Sequence, residues 1–421
     1  MAGQSSEPAV PSGVVAFARA PRYPRRVPAA LTVPIHLIAF VAGFALSVRA
    51  VLSAIRTFVL PRASGDGVAK LVFVTTRKVF RQFAGPGKPY RSRDRLMAYF
   101  GPISLTVLPS VWLVMVTIGY TLMYWALGVE TIQEAFLTSG SSLLTLGFHR
   151  PANLPIADPF MFSEAVIGLG LVALLISYLP AIYGGFSRRE LLVSLLEVRA
   201  DSPPSPVVLI TRFHRLSGLD HLHETWERWE QWFAELEESH TSLTVLVDYR
   251  SQQSDLSWVN AAGAMMDAAA LVRSSVAIPL DAQADLMIRA GYLALRRIGR
   301  VFGIKYSPHP SPTDPTSITR AMYDEVYEVL AKAGVPMVAD REQAWRDFNG
   351  WRVNYDDVLR GLERLTVAPT GWWELPKRSA WDTDEPVAEV AARHGGHAAS
   401  PIAAPAGPGT QGLAAEGLAA D

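Results

Sequence analysis

Three long apolar stretches dominate the chain: LTVPIHLIAFVAGFALSV at residues 31–48 and ISLTVLPSVWLVMVTIGYTLMYWALGV at 103–129, both without a formal charge, and a third at about 160–186 with Glu164 near its start. About 20 apolar residues in a helix cross the hydrocarbon core of a bilayer. These stretches therefore predict a mainly α protein with three membrane helices. The first also has features of a signal peptide, with a basic start and small residues afterwards. Its length, and its amphipathic continuation through VLSAIRTFVLP, favour a span.

The charges between the spans set the expected topology. Arg62, Lys70, Arg77, Lys78, Arg81, Lys88, Arg91, Arg93 and Arg95 face only Asp66 and Asp94. A short loop this basic stays on the cytoplasmic side. LVFVTTRKVF within it reads either as an interfacial helix or as a plain topology signal. Arg188 and Arg189 mark cytoplasm again after the third span, so residues 130–159 visit the outside. The first span then places the N-terminus outside, against the preference of Arg19, Arg22, Arg25 and Arg26. Trp125, Tyr124 and Tyr120 lie towards the outer end of the second span, where amphipathic rings favour the interface.

The expected organisation is a flexible basic N-terminus at 1–30, a membrane helix at 31–60 and a basic cytoplasmic loop at 61–100. A membrane module at 101–190, a cytosolic domain at 200–370 and a disordered Ala, Gly and Pro-rich tail at 377–421 follow. In the cytosolic domain, LDHLHETWERWEQWFAELEESH predicts an acidic amphipathic helix and SLTVLVDYR one buried strand. LSWVNAAGAMMDAAALVRSS, AQADLMIRAGYLALRRIGRVFG and segments near 316–333 and 341–366 predict further helices.

Several chemistries are excluded or disfavoured. The chain has no cysteine, and its 39 basic residues balance 39 acidic ones. Disulfides, thiol catalysis and cysteine metal sites are therefore out. There is no glycine-rich phosphate loop, HExxH or nucleophile elbow. His221 and His223 are two apart on a helix and do not share a face, so no metal site is expected. Trp226, Trp229 and Trp232 fit core packing, and the glutamates around them disfavour nucleic acid. No catalytic residue, enzyme activity or cofactor is expected. An unidentified ligand or protein partner of the cytosolic domain stays open.

The segment TSGSSLLTLGF, between the second and third spans, is too short for a span and too poor in charge for an ordinary loop. TIQEAFLTSGSSLLTL can form a helix half a membrane long that enters from outside. Irregular backbone at membrane depth is tolerated only where it is buried in protein or lines a water-filled cavity. The helix would aim its partly negative C-terminal end at the membrane centre, which favours a cation. The carbonyls of Thr145, Leu146, Gly147 and Phe148, with the Thr145 hydroxyl, can then replace the water around a dehydrated ion. Gly147 matters because aligned carbonyls need backbone angles that side chains disfavour. Phe148 can pack behind this segment.

Span, short helix, Thr-x-Gly-aromatic, span resembles the potassium-channel pore, whose filter usually reads TxGYG or TxGFG. TLGF matches over four residues, Ser142 falls where a pore-helix Thr commonly sits, and the resemblance covers roughly residues 100–190. His149 replaces the second filter glycine, and Arg150 stands where the family often has Asp, to be neutralised by Asp158 or Glu164. Glu164 would pair with Arg150 or cap a neighbouring copy's pore helix. The resemblance implies a homotetramer, since one chain supplies one filter segment, and passive conduction of potassium across a bacterial inner membrane. It also implies an inner helix that bends to open, with Gly168 and Gly170 as hinge candidates and Pro180 as a kink. Tyr178, Leu179, Ile182 and Tyr183 would form the constriction. The alternative is a non-conducting membrane anchor that presents its cytosolic helices to a partner.

Overall fold

A computed structural model describes residues 29–58, 66–151, 154–216 and 218–369, except Pro86 and Lys88. The expected N-terminal lead-in and the C-terminal tail lie outside these residues. The described chain is mainly helical. Three helical stretches of 26, 38 and 46 residues are long and apolar enough to cross a membrane.

Helix α1 runs Ala29–Phe58, joining the first apolar stretch and its amphipathic continuation. The basic segment that follows folds into α2, Gly67–Phe83, and α3, Tyr90–Ala98. The second stretch is α4, Phe100–Leu127, with Pro109 inside it. Helix α1 lies along α4 and meets it closely at Gly43 and Gly119. A Cβ on Gly43 would come within 2.3 Å of the Gly119 carbonyl oxygen. Small residues let helices approach where lipid offers no hydrophobic drive to pack them. Asp66 fixes the next corner. Its carboxylate caps α2 at Val68 N and Ala69 N, and it accepts from Ser53 Oγ at 2.5 Å and from Arg49 at 3.1 Å. Trp112 Nε1 of α4 donates to the same Ser53 hydroxyl.

Helix α5, Ile132–Leu143, is short, and Thr131 Oγ1 caps it at Glu134 N. Helix α6, Asp158–Ala200, is unbroken for 43 residues, with Pro180 inside it. It continues past the expected end at Phe186, because one face of its last turns, with Val193, Leu196 and Ala200, packs into the core of the following domain.

That domain comprises α7 (Pro206–Leu216), α8 (Leu222–Ser242), α9 (Trp258–Ser275), α10 (Ala282–Val301), α11 (Arg320–Lys332), α12 (Arg341–Arg352) and α13 (Asp356–Thr366). Helix α9 is apolar nearly all round and buried over almost its whole length, as a central helix must be. Helices α7, α10, α12 and α13 pack around it, and α8 packs on α10. Trp226, Trp229 and Trp232 of α8 are all in this core. The one buried charge on α9, Asp267, is paired with Arg352 and accepts from Tyr355 Oη at 2.6 Å. Arg352 Nε also reaches Asp356 at 3.0 Å.

Two expectations fail here. The strand expected at SLTVLVDYR is a short 3-10 helix, Thr244–Asp248, and no sheet forms among the described residues. Val245, Leu246 and Val247 are buried as expected. The carbonyls of this segment, however, meet side chains instead of a partner strand, that of Val247 accepting from Trp258 Nε1 at 3.3 Å. The buried Arg189 of α6 donates to the carbonyls of Leu246 and Tyr249, each at 2.8 Å. The helix expected over 341–366 is broken at Val353–Tyr355. The break turns Arg352 and Tyr355 onto the carboxylate of Asp267 and sets Asp356 against the same Arg352 guanidinium.

Arg189 is the junction between the long helix and the C-terminal domain. Besides those carbonyls it bonds Glu190 at 2.8 Å and lies 3.2 Å from His240 Nε2. Arg77 of α2 pairs with Asp248 at 2.5 Å, and Arg250 with Asp94 of α3 at 2.5 Å, so the basic segment is docked on the same domain. Burial, then the charge of Arg189, holds the His240 imidazole well below its ordinary 6.5. Below that pH the unfolded chain takes up a proton that the folded chain refuses. The contribution of His240 to stability is therefore full above about pH 6.5 and falls as pH drops, approaching about 1.4 kcal/mol per unit. Between pH 8 and 5 the thermal midpoint should drop relative to that of His240→Gln. An equal slope in both proteins would assign the effect elsewhere.

Candidate functional site

The segment between α4 and α6 contains almost no charge but many hydroxyls, and the hydroxyls set its position. Ser139 Oγ of α5 donates to Glu164 Oε1 at 2.5 Å and lies 3.2 Å from the Thr117 carbonyl. Tyr124 Oη of α4 donates to Glu164 Oε2 at 2.8 Å. Ser142 Oγ donates to the Met161 carbonyl at 2.5 Å, and Tyr120 Oη lies 2.8 Å from Ser163 Oγ. Helix α5 is thus a wedge bonded to both long helices.

Depth follows from helix geometry. Thr117 precedes the end of α4 by ten residues, and Gly168 follows the start of α6 by ten, each about 15 Å along its axis. Ser139 meets the first, and the Leu143 carbonyl meets the second. The C-terminal end of α5 therefore stops about halfway along a bilayer-length section of both helices. At Gly168 the contact is so close that a Cβ would fall 2.0 Å from the Leu143 oxygen. Gly170, the other hinge candidate, has open space around its Cα. Helix α6 runs helically through Gly168, Gly170 and Pro180 alike. Of the constriction candidates, Tyr178 and Ile182 are buried in this single chain while Leu179 and Tyr183 are exposed.

After Leu143 the chain turns back. Leu146 N and Gly147 N both donate to the Ser141 carbonyl, at 2.8 and 3.2 Å, and His149 N donates to Ser141 Oγ at 3.0 Å. Thr145 has φ +56° and Gly147 φ +70°, so every second residue here is left-handed. Glycine tolerates that region freely, whereas it is unusual for threonine, a β-branched residue. Leu144, Leu146 and Phe148 are 56%, 61% and 65% exposed. Phe148 therefore does not pack behind the segment within one chain. Arg150 pairs with Asp158, its guanidinium bridging both carboxylate oxygens, at 3.1 and 2.5 Å.

Glu164 is fully buried between α4, α5 and α6, and it is not the partner of Arg150. Sequence reasoning missed Tyr124 and Ser139 as its partners, and Ser141 as the anchor of the return segment. The signal was present in the repeated hydroxyls of TSGSS, since residues 139 and 142 lie three apart on one helical face. Glu164→Ala would leave the buried Tyr124 hydroxyl without this acceptor and Ser139 with only the Thr117 carbonyl, lowering stability by about 1–3 kcal/mol. Glu164→Gln keeps an acceptor for Tyr124 and should lose less. Thermal unfolding of the two variants in detergent checks the order, and equal losses would contradict it.

No protein-family model, curated protein or solved structure matches this chain.

Proposed function

We propose that the protein is a tetrameric pore-loop channel for a monovalent cation, with potassium the preferred ion. The carrying observation is the stop of α5 halfway along α4 and α6, followed by a return segment with alternate left-handed residues. In this reading α5 is the pore helix, entering from outside with its negative end at the membrane centre. Carbonyls of Thr145, Leu146, Gly147 and Phe148 from four copies replace the ion's hydration shell. Glu164, Ser139 and Ser142 hold the pore helix at its depth. Asp158 neutralises Arg150 at the outer mouth.

The tetramer accounts for apolar surface that one chain leaves open. Phe162, Val166, Leu169, Ile176, Leu179 and Tyr183 form an exposed stripe on α6 at helical spacing. Leu144, Leu146 and Phe148 add to it. Neighbouring copies around an axis would cover both. The C-terminal domain is cytosolic in this arrangement, on the side of the basic segment, as expected for positive charge that stays inside.

Ion flux through the purified protein in liposomes tests the reading. Potassium flux well above sodium flux is expected. A protein that is monomeric in detergent and leaks neither ion would leave the non-conducting anchor as the better description.

A further inference from the structure

A second feature lies at the opposite end of the long helices from α5. A cavity of about 490 Å³ opens where the C-terminal end of α1, the first turns of α4 and the middle of α6 meet α2 and the C-terminal domain. Its level follows from the same geometry. Tyr178 is twenty residues into α6 and Leu105 twenty-two before the end of α4, about 30 Å and about 33 Å along their axes. That is a full bilayer thickness from the outer ends. The cavity therefore sits where hydrocarbon gives way to headgroups.

Its lining has two chemistries. The wall towards the spans is apolar, with the Phe58 and Tyr178 rings tilted against each other, centroids 4.3 Å apart, and flanked by Phe73 and Leu105. The rim carries Arg56 from the end of α1, Lys70 from α2 and Arg300 from the end of α10. All three are exposed, and among the described residues none of them is in an ion pair. The two carboxylates of the lining are already committed, Asp66 to Arg49 and the α2 cap, Asp248 to Arg77. Four cations against two bonded carboxylates leave the lining net positive. A volume of this size lies in the range of small-molecule sites.

We propose that this cavity binds an anionic phospholipid of the cytoplasmic leaflet. An acyl chain lies on the Phe58–Tyr178 wall, and Arg56, Lys70 and Arg300 hold the phosphate. Water alone suits the apolar wall poorly, and a soluble phosphate leaves that wall unused. Because the rim includes Arg300 of the C-terminal domain, the lipid clamps that domain to the membrane helices. The inference needs the spans to lie in a bilayer but does not need the pore to conduct, and its readout is binding rather than flux.

The test uses the full chain in detergent, with thermal unfolding followed during titration. Dioctanoyl-phosphatidylglycerol should raise the midpoint by several degrees. Dioctanoyl-phosphatidylcholine and glycerol 1-phosphate should raise it far less. The double variant Lys70→Gln/Arg300→Gln, at two exposed positions, should unfold normally without lipid and bind the phosphatidylglycerol at least tenfold more weakly. An equal response to phosphatidylcholine would overturn the anionic headgroup. An equal response to glycerol 1-phosphate would make the occupant a soluble phosphate and overturn the lipid. Unchanged affinity in the double variant would overturn the site.

Discussion

Replacing Gly147 by alanine is expected to reduce potassium flux at least tenfold while leaving the folded assembly in place. Gly147 has φ +70°, and a Cβ built on it meets no atom within 4 Å. Space is therefore not the constraint; the backbone is. Holding an L-residue in the left-handed region costs about 1 kcal/mol or somewhat more. Thr145, two residues earlier, already bears such a cost. The segment can relieve the added strain by rotating a peptide plane, which swings a carbonyl away from the ion path. One lost oxygen per copy becomes four around an axis, so a small local change has a large effect on conduction. Stability should change little, since the affected residues make few contacts in one chain. Flux equal to wild type from the alanine variant would remove residues 145–148 from the conduction path.

The second large effect concerns Gly168. Even alanine there would place a Cβ 2.0 Å from the Leu143 carbonyl oxygen, a backbone atom at the end of α5. Side-chain motion cannot relieve that contact, so α5 and α6 must separate. Overpacking of this kind costs roughly 1–3 kcal/mol, and more when the obstacle is backbone. Separation also pulls on Ser139 and Ser142, whose bonds to Glu164 and Met161 fix the depth of α5. Gly168→Ala should thus lower both the thermal midpoint and flux. Gly170→Ala, two residues on, meets open space and should leave the midpoint unchanged. Equal tolerance at the two positions would contradict the wedge geometry.

The pair also shows what could and could not be read in advance. The three apolar stretches and the short helix before TLGF were legible because each is a local pattern of residues. Gly168 and Gly170 looked alike as flexible points in an apolar helix. Only the Leu143 carbonyl, twenty-five residues away, tells them apart. Glu164 stood out as a carboxylate at the edge of a span, but its partners Ser139 and Tyr124 are 25 and 40 residues distant. SLTVLVDYR carries the apolar run of a buried strand, and the same run serves a 3-10 helix. Arg189, from another part of the chain, takes the carbonyls that a strand would have needed to pair. Arg189 itself read as a mark of the membrane surface, whereas it is buried in the junction. At residue 145 no glycine announces the left-handed backbone, so nothing in the residue type signals it.

Anomalous scattering from thallium or rubidium, soaked into crystals of the full-length protein, tests the central claim most directly. The account predicts sites on a fourfold axis, ringed by the carbonyl oxygens of Thr145, Leu146, Gly147 and Phe148 of four copies. Heavy-ion density absent from that axis, with residues 145–148 facing lipid or solvent, would contradict it.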